Sequence, residues 1–184
     1  MIHLYYGDGK GKTTAAIGLA VRAAGEGLPV FFVQFMKNAP VGEVLSLEKL
    51  GITIVRGKSG SHFFSQMTEE EKRETKKRGN ENLTCVLASL YESTFAGERT
   101  GEEKGDLPRA LLILDEICAA YQHDLIDRKA VDALIFNPPP LVELVLTGRN
   151  PPSLFLEKAD YITEMKKIRH PYDAGLAARK GVEF

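Results

Sequence analysis

Six short apolar runs recur along the chain, with segments of helical spacing between them. The runs predict strands, and runs that are apolar on both faces are typical of a parallel sheet covered on both sides. The alternation of strand and helix patterns predicts an α/β fold. The helical segments are an Ala-rich stretch over 13–24, an amphipathic one over 43–50 and a turn or short helix over 153–158. The predicted strands cover 2–6, 30–35, 52–55, 111–114, 142–146 and, more weakly, 161–165.

A long segment separates the third and fourth predicted strands. Thr68 and Glu71 form a capping box, which predicts a helix that begins at Thr68. The second half of this helix has apolar residues on one face, and we expect that face to pack on the sheet: Leu83, Val86, Leu87, Leu90 and Tyr91. Glycines punctuate 97–108 and predict a loop there. No repeat or linker divides the chain, so we expect one domain over 1–184.

Composition and charge exclude several classes of protein. The chain has 184 residues, 24 Lys and Arg, 25 Asp and Glu and a net charge of -1. No overall basic field favours nucleic acid or an anionic membrane. No apolar run approaches the ~20 residues that span a bilayer, and no basic segment leads into an apolar one, so we expect a cytoplasmic protein. Cys85 and Cys118 are far apart, which argues against a disulfide framework or a zinc site.

The strongest chemical signal lies between the first predicted strand and the first predicted helix. It consists of Gly7, Asp8, Gly9, Lys10, Gly11, Lys12, Thr13 and Thr14. Backbone N–H groups of such a loop and the helix N-terminus cradle phosphates, while Lys12 supplies a charge and the Thr13 hydroxyl can ligate Mg²⁺. We expect Lys12 to be exposed. The first glycine is one position later than in the standard phosphate loop, so this loop is a variant; a simple glycine-rich turn would not explain its Gly-Lys-Thr-Thr ending.

Two further signals lie where later strands end. Asp115 and Glu116 follow an apolar strand, whose carboxyl end lies at the same edge of a parallel sheet as the phosphate loop. Either acid can therefore reach a metal there, directly or through water. Arg149 follows the fifth predicted strand and can contact a phosphate or the second substrate; a solvated turn is the alternative. Arg22, on the first helix, either reaches the base or extends its stem along apolar surface.

An aromatic pair, Phe63 and Phe64, follows a polar stretch that contains glycine. Such residues either cover something flat and apolar or plug a small hydrophobic space under the loop. The four histidines form no cluster and no triad with a nucleophile, so we assign none of them to catalysis.

The chain resembles the P-loop ATP:corrinoid adenosyltransferases along nearly its whole length. The resemblance rests on the loop over 7–16, on 33–37 with Gly42 and Glu43, on 114–116, on 146–149, on 159–165 and on 170–175. It implies a RecA-like parallel sheet with helices on both faces. It also implies an enzyme, a transferase that moves the 5'-deoxyadenosyl group of ATP to the Co(I) of a corrinoid and releases triphosphate, in adenosylcobalamin synthesis or corrinoid salvage.

The resemblance also implies the roles of individual residues. The loop over 7–14, Arg22, Glu116 and Arg149 would bind ATP, and Thr13, Asp115 and Glu116 would hold Mg²⁺. Phe63 and Phe64 would press on the corrin underside. A homodimer and an electron-donating reductase are expected partners. Two alternatives stay open: another P-loop kinase or NTPase that acts on the γ-phosphate, and a nucleotide-gated corrinoid carrier.

Two departures from the family pattern produce separate expectations. Asp8 stands where relatives often have Asn, and a triphosphate repels a carboxylate, so we expect Asp8 to point toward ribose or solvent. Some relatives close the active site with an N-terminal arm, whereas the first predicted strand here begins at Ile2. We therefore expect closure by 57–67, by the segment after Met165 or by a partner subunit.

Overall fold

A computed structural model describes residues 1–36, 42–57, 64–95 and 109–182. Within these ranges six strands form one parallel sheet in the order β3-β2-β4-β5-β1-β6. The strands are β1 (Ile2–Tyr6), β2 (Val30–Gln34), β3 (Thr53–Arg56), β4 (Ala110–Asp115), β5 (Val142–Gly148) and β6 (Tyr161–Glu164). The helices are α1 (Lys12–Gly25), α2 (Gly42–Lys49), α3 (Glu69–Phe95), α4 (Ile117–Gln122), α5 (Arg128–Phe136) and α6 (Ser153–Lys158), with 3-10 turns at Phe64–Gln66 and Pro171–Ala174.

Helices cover both faces of the sheet, which confirms the predicted α/β fold. Strand residues alternate between two hydrophobic clusters because successive side chains point to opposite faces. On one face α1 and α2 pack against residues such as Phe32 and Ile113. On the other face α3, α4, α5 and α6 pack against residues such as Leu112 and Leu144. None of the helices in the described ranges has the length and apolarity that crossing a membrane requires.

The strand at one edge, β6, differs from the buried strands that its apolar run suggested. All four of its residues are exposed, and Tyr161 and Ile162 keep about half of their surface accessible, 50% and 47%. Among the described elements, strand β6 pairs only with β1, and none of their helices packs closely over it. Its pairing with β1 nevertheless fixes where the chain leaves the sheet, directly beside the phosphate loop.

The long helix α3 begins as its capping box predicts. The Glu71 carboxylate accepts from the Thr68 N–H at 2.7 Å, and the Thr68 hydroxyl accepts from the Glu71 N–H at 3.2 Å. Leu83, Val86 and Leu90 are buried as expected. The expectation for Tyr91 is wrong, because it is 65% exposed. At about 100° per residue, Tyr91 lies at the margin of the apolar stripe.

Two helices in the second half of the chain have no counterpart in the pattern-based prediction. Helix α4 follows β4 after a single residue, and α5 follows soon afterwards. Asp127 caps α5, since its carboxylate accepts from the Lys129 N–H at 2.9 Å. Asn80 of α3 in turn accepts from the Asp127 N–H at 2.8 Å and ties the two helices together. The loop predicted over 97–108 lies outside the described residues.

Candidate functional site

The carboxyl ends of the central strands bring the predicted site residues together. Gln34 at the end of β2 lies opposite Asp115 at the end of β4, and Tyr6 at the end of β1 lies opposite Gly148 of β5. The loop after β1 leads directly into α1, so the helix N-terminus lies at this same edge. Ligands of open parallel sheets bind at this edge, and the prediction that the acids and the loop converge there is confirmed.

The side chain of Lys12 folds back onto its own loop. Its Nζ donates to the Gly9 carbonyl oxygen at 2.7 Å, and only 7% of the residue is exposed. The expectation that Lys12 is exposed is therefore wrong: the side chain lies over the loop that begins its own helix. Burial lowers the pKa of Lys12, although the nearby carboxylates of Glu116, Asp115 and Asp8 oppose that effect. A bound polyphosphate would add negative charge beside this buried ammonium group and so favour its charged form.

Asp115 is fully buried, with no exposed surface. Its Oδ1 accepts from the Thr13 hydroxyl at 2.9 Å and from the Thr147 hydroxyl at 2.7 Å. Its Oδ2 accepts from Gln34 Nε2 at 3.3 Å. These bonds orient a buried carboxylate and join the first turn of α1 to three strands of the sheet.

Glu116, the next residue, has a left-handed backbone with φ 61°. For a residue with a side chain this conformation costs about 1 kcal/mol or more, and such strain is common at functional sites. The Glu116 N–H donates to the Thr147 hydroxyl at 2.9 Å. Thr147 therefore bonds both acidic residues, the side chain of Asp115 and the backbone of Glu116. The turn directs the chain from β4 into α4 and places Glu116 on the wall of a cleft.

The oxygen atoms at this edge fit a magnesium ion. Hydroxyl and carboxylate oxygens are the ligands that Mg²⁺ prefers, and Mg²⁺ usually keeps several water molecules. Thr13, Asp115 and Glu116 supply such oxygens within one neighbourhood. Gln34 Oε1 is buried and has no hydrogen-bond partner among the described residues. A buried acceptor without a donor is costly, and a metal-bound water is a donor that would satisfy it.

The cleft that adjoins the loop has a volume of about 460 Å³. The cleft is lined by the end of the loop and the start of α1, by Glu116, by part of α2 and by residues 181–182; the loop and α1 contribute Lys10, Gly11, Lys12, Thr13, Thr14 and Ile17. The predicted loop residues and Glu116 thus share one concave surface. A cleft of this size lies within the range that ordinary small-molecule ligands occupy.

The two predicted arginines lie in different places. Arg149 is exposed directly after β5, close enough that its charge helps to lower the pKa of both Lys12 and Asp8, although it is not the main cause in either case. Arg22 lies in the last turn of α1, ten residues after Lys12. At 1.5 Å per residue this is about 15 Å along the helix axis, so the structure does not bring Arg22 to the phosphate loop. Its charge partly opposes the rise in the pKa of Tyr5 that burial causes.

The chain that leaves β6 lies against the phosphate loop. The Gly9 N–H donates to the Met165 carbonyl at 2.7 Å, and the Met165 N–H donates to the Tyr6 carbonyl at 2.7 Å. A Cβ atom at Gly9 would lie 2.6 Å from the Met165 oxygen, so a side chain there would collide with backbone. Asp8 is exposed and its Oδ1 accepts from the Lys167 N–H at 2.9 Å. This hydrogen bond is the main cause of the lowered pKa of Asp8.

Of the predicted aromatic pair, Phe64 is described and Phe63 lies outside the described residues. The Phe64 ring stacks on His123, with centroids 3.9 Å apart and planes 18° apart. Lys72 Nζ lies 5.1 Å from the same ring centroid. Phe64 is half-buried and packs against the main core cluster, so it has the contacts of the apolar plug that was the alternative to a ligand-facing role.

Three features of the site were not assigned a role from the sequence. Gln34 ends the apolar strand β2, and Thr147 follows the buried apolar residues Leu144, Val145 and Leu146 of β5. A polar residue at the carboxyl end of a buried apolar run is the signal that could have identified both. The contact of residues 165–167 with the phosphate loop spans about 159 positions in the chain and has no local signal. It depends on the order of the strands, which places β6 beside β1.

Comparison with known proteins agrees with this geometry. The family model of the ATP:corrinoid adenosyltransferase BtuR/CobO/CobP matches residues 1–184. A corrinoid adenosyltransferase of Sinorhizobium sp is 33% identical over 180 residues, which is 97% of this chain and 77% of that protein. One from Pseudomonas aeruginosa is 32% identical over 98% of this chain and 82% of that protein, and the corrinoid adenosyltransferase CobA of Salmonella typhimurium is 30% identical over 100% and 85%. The chain belongs to the family of ATP:corrinoid adenosyltransferases.

Proposed function

We propose that the cleft beside the phosphate loop binds ATP and presents its C5' to the Co(I) of a corrinoid. Family membership makes the protein a transferase of this type, acting on ATP and a corrinoid. The observation that supports the cleft as the place of reaction is the convergence of Lys12, Thr13 and Asp115 on one sheet edge, next to a cleft lined by the loop. The reduced cobalt is the nucleophile, so the protein need not supply one.

In this proposal the protein stabilises the leaving triphosphate. The N-terminus of α1 and the loop N–H groups lie at the floor of the cleft, where they favour negative charge. Lys12 adds a positive charge once it leaves the Gly9 carbonyl for a phosphate oxygen. Such pre-positioned groups need little rearrangement as charge develops on the leaving group.

Mg²⁺ belongs to the same proposal. Thr13, Asp115 and Glu116 would hold it, with Gln34 Oε1 as an acceptor for a metal-bound water. When bound, the ion would neutralise part of the triphosphate charge. Asp115 is already oriented by three donors, so the site would require little side-chain rearrangement.

Phe64 packs on the core with one part of its surface, and we propose that its accessible part, together with Phe63, faces the corrin. Stacking on His123 fixes the orientation of the Phe64 ring, and Lys72 lies near the same ring. Such an aromatic surface would exclude water from one face of the corrin and so favour loss of its lower axial ligand before reduction. Replacing Phe64 by Ala should therefore slow formation of the Co(I) species more than it weakens ATP binding, whereas Phe64→Tyr should retain most of the effect. Equal losses in both assays would assign Phe64 to the core alone.

The decisive experiment is identification of the polyphosphate product. Anaerobic incubation with ATP, Mg²⁺ and chemically reduced corrinoid should yield triphosphate and the optical spectrum of an adenosylated corrinoid. ADP or inorganic phosphate in stoichiometric yield would instead indicate a kinase or NTPase. Binding of both substrates without turnover would indicate a corrinoid carrier.

Variants of Lys12 connect that reaction to the cleft. Lys12→Ala should abolish adenosylation, and Lys12→Met, which keeps the bulk of the side chain, should do the same while protecting the fold. The exposed Lys129 on α5 provides the matched control, since Lys129→Ala removes the same charge far from the loop. Full activity of a folded Lys12→Met variant would contradict the proposed cleft.

The cellular setting is part of the proposal and rests on the resemblance. We infer a cytoplasmic homodimer that receives electrons from a separate reductase and serves adenosylcobalamin synthesis or corrinoid salvage. Sedimentation of the purified protein tests the homodimer. Adenosylation with a reduced flavoprotein in place of the chemical reductant tests the supply of electrons by a separate reductase.

A further inference from the structure

The segment after β6, residues 165–182, runs from the phosphate loop to the cleft. Its first three residues are fastened to the loop by the bonds of Met165 to Gly9 and of Lys167 to Asp8. Its last described residues, Gly181 and Val182, line the same cleft as Lys10 to Thr14. The segment therefore contacts the proposed nucleotide site at both of its ends.

Few apolar contacts hold this segment. Ile168 is 91% exposed and Tyr172 is 74% exposed, and every residue over 171–182 is exposed. An ion pair between Lys167 Nζ and Asp173, 3.0 Å long, connects the start of the segment to its 3-10 turn. A segment with little buried surface depends on its few polar anchors for its position. The bonds of Met165 join backbone to backbone, whereas the bond of the Lys167 N–H ends on the Asp8 side chain, so a substitution of Asp8 can remove it.

Asp8 supplies the only one of these loop anchors that belongs to a side chain. Its carboxylate accepts from the Lys167 N–H at 2.9 Å, and the Lys167 ammonium group is another neighbour that favours its charged form. The carboxylate is thus directed toward the segment after β6, one residue before a glycine whose N–H also bonds that segment. Neither ribose nor phosphate is needed to account for its orientation.

We infer that Asp8 is a positioning residue for ATP: it fastens residues 165–182 to the phosphate loop and so holds Gly181 and Val182 in the wall of the cleft. The inference rests on the proposed function of that cleft. Asp8 acts through the segment and does not touch the nucleotide. The alternative is a direct electrostatic effect, in which the carboxylate repels the triphosphate.

The two accounts predict effects of opposite sign. Removing a repulsive charge should lower the KM for ATP equally in Asp8→Asn and Asp8→Ala. Removing the anchor should raise the KM for ATP in Asp8→Ala by about fivefold, the effect of one ordinary hydrogen bond. Asp8→Asn retains an acceptor oxygen for the Lys167 N–H, so it should restore the KM for ATP to the wild-type value or below.

Limited trypsin digestion supplies a readout that does not depend on activity. Lys167, Arg169 and Lys180 are cleavage sites within the segment. Asp8→Ala should be cut there several-fold faster than wild type, and Asp8→Asn should not, while the thermal unfolding midpoints of the three proteins stay alike. Excess ATP should slow cleavage in wild type more than in Asp8→Ala.

Equal KM values or equal trypsin rates for the two Asp8 variants would overturn the inference. The Lys12→Met variant separates this failure from failure of the proposed function. If Lys12→Met binds ATP like wild type, the cleft is not the nucleotide site. If Lys12→Met binds ATP more weakly than wild type, while Asp8→Ala and Asp8→Asn behave alike, the cleft is the nucleotide site and the inferred role of Asp8 is wrong.

Discussion

Thr147 is the residue whose replacement tests the described site most directly. It is fully buried, its hydroxyl donates to Asp115 at 2.7 Å, and the same oxygen accepts from the Glu116 N–H at 2.9 Å. Thr147→Val keeps the shape of the side chain and removes both bonds. The loss of a bond to a carboxylate costs about 1.5–3 kcal/mol, and an unsatisfied N–H costs about 1–3 kcal/mol. A buried methyl group returns about 0.8 kcal/mol. We expect a net loss of about 3 kcal/mol in the free energy of unfolding.

Urea unfolding followed by circular dichroism measures this loss, with Thr147→Ser as the matched control. Serine keeps the hydroxyl and loses one methyl group, so its cost should be about 1 kcal/mol. In a chain of this length Thr147→Val should lower the melting temperature by roughly 6–12 °C. The urea dependence of the unfolding free energy should be the same for all three proteins. If Thr147→Ser proves more destabilising than Thr147→Val, the hydroxyl does not hold the acid pair and the reasoning fails.

Three further predictions concern neighbouring positions. Gly148→Ala should destabilise the fold by about 2 kcal/mol or more and reduce ATP binding, because φ is 149° and a new Cβ would lie 2.5 Å from Cys118 Cβ; a melting temperature equal to that of wild type would contradict this. Burial raises the pKa of Cys118 to about 12, so a thiol reagent at about pH 8 should label the exposed Cys85 and leave Cys118 unmodified until the protein unfolds. Above its ordinary pKa of 9.0 the Cys118 thiol loses its proton in the unfolded chain but keeps it in the folded protein, so the free energy of unfolding should fall between about pH 9 and 12. Urea titrations across this range should show a smaller fall for Cys118→Ala than for wild type, and an equal fall would refute the raised pKa.

Local sequence signals were sufficient to predict the phosphate loop, the helix that follows it and the two acids after β4. A strand, a glycine-rich loop and an Ala-rich helix follow one another directly, and α1 begins at Lys12, one residue before its predicted start. The position of the two acids at the end of β4 was predictable for the same reason, because the apolar run and the two carboxylates that follow it lie within a few residues of each other. Helix α5 also carried a local signal, the Asp127 cap, and was missed although the signal was present.

Other features depend on contacts that no short window of sequence contains. Lys12 is buried because its side chain lies over the loop, whereas a loop lysine considered alone suggests exposure. Strand β6 resembles a core strand in composition, yet its position at the edge of the sheet leaves it exposed. Helix α4 is only six residues long and starts from a strained residue, so neither its length nor its start gives a helical pattern.

The variant spacing of the glycine loop has a physical explanation in the same long-range contact. Phosphate binding alone would require glycines where backbone N–H groups converge on the ligand. Here Gly7 and Gly9 instead face the backbone of Met165, which leaves no room for a Cβ atom at either position. The Gly9 N–H is already bonded to the Met165 carbonyl and is therefore not free for a phosphate oxygen. The early glycines allow the close contact with the segment after β6, whereas Lys10, Gly11, Lys12, Thr13 and Thr14 line the cleft in which we propose the polyphosphate to bind.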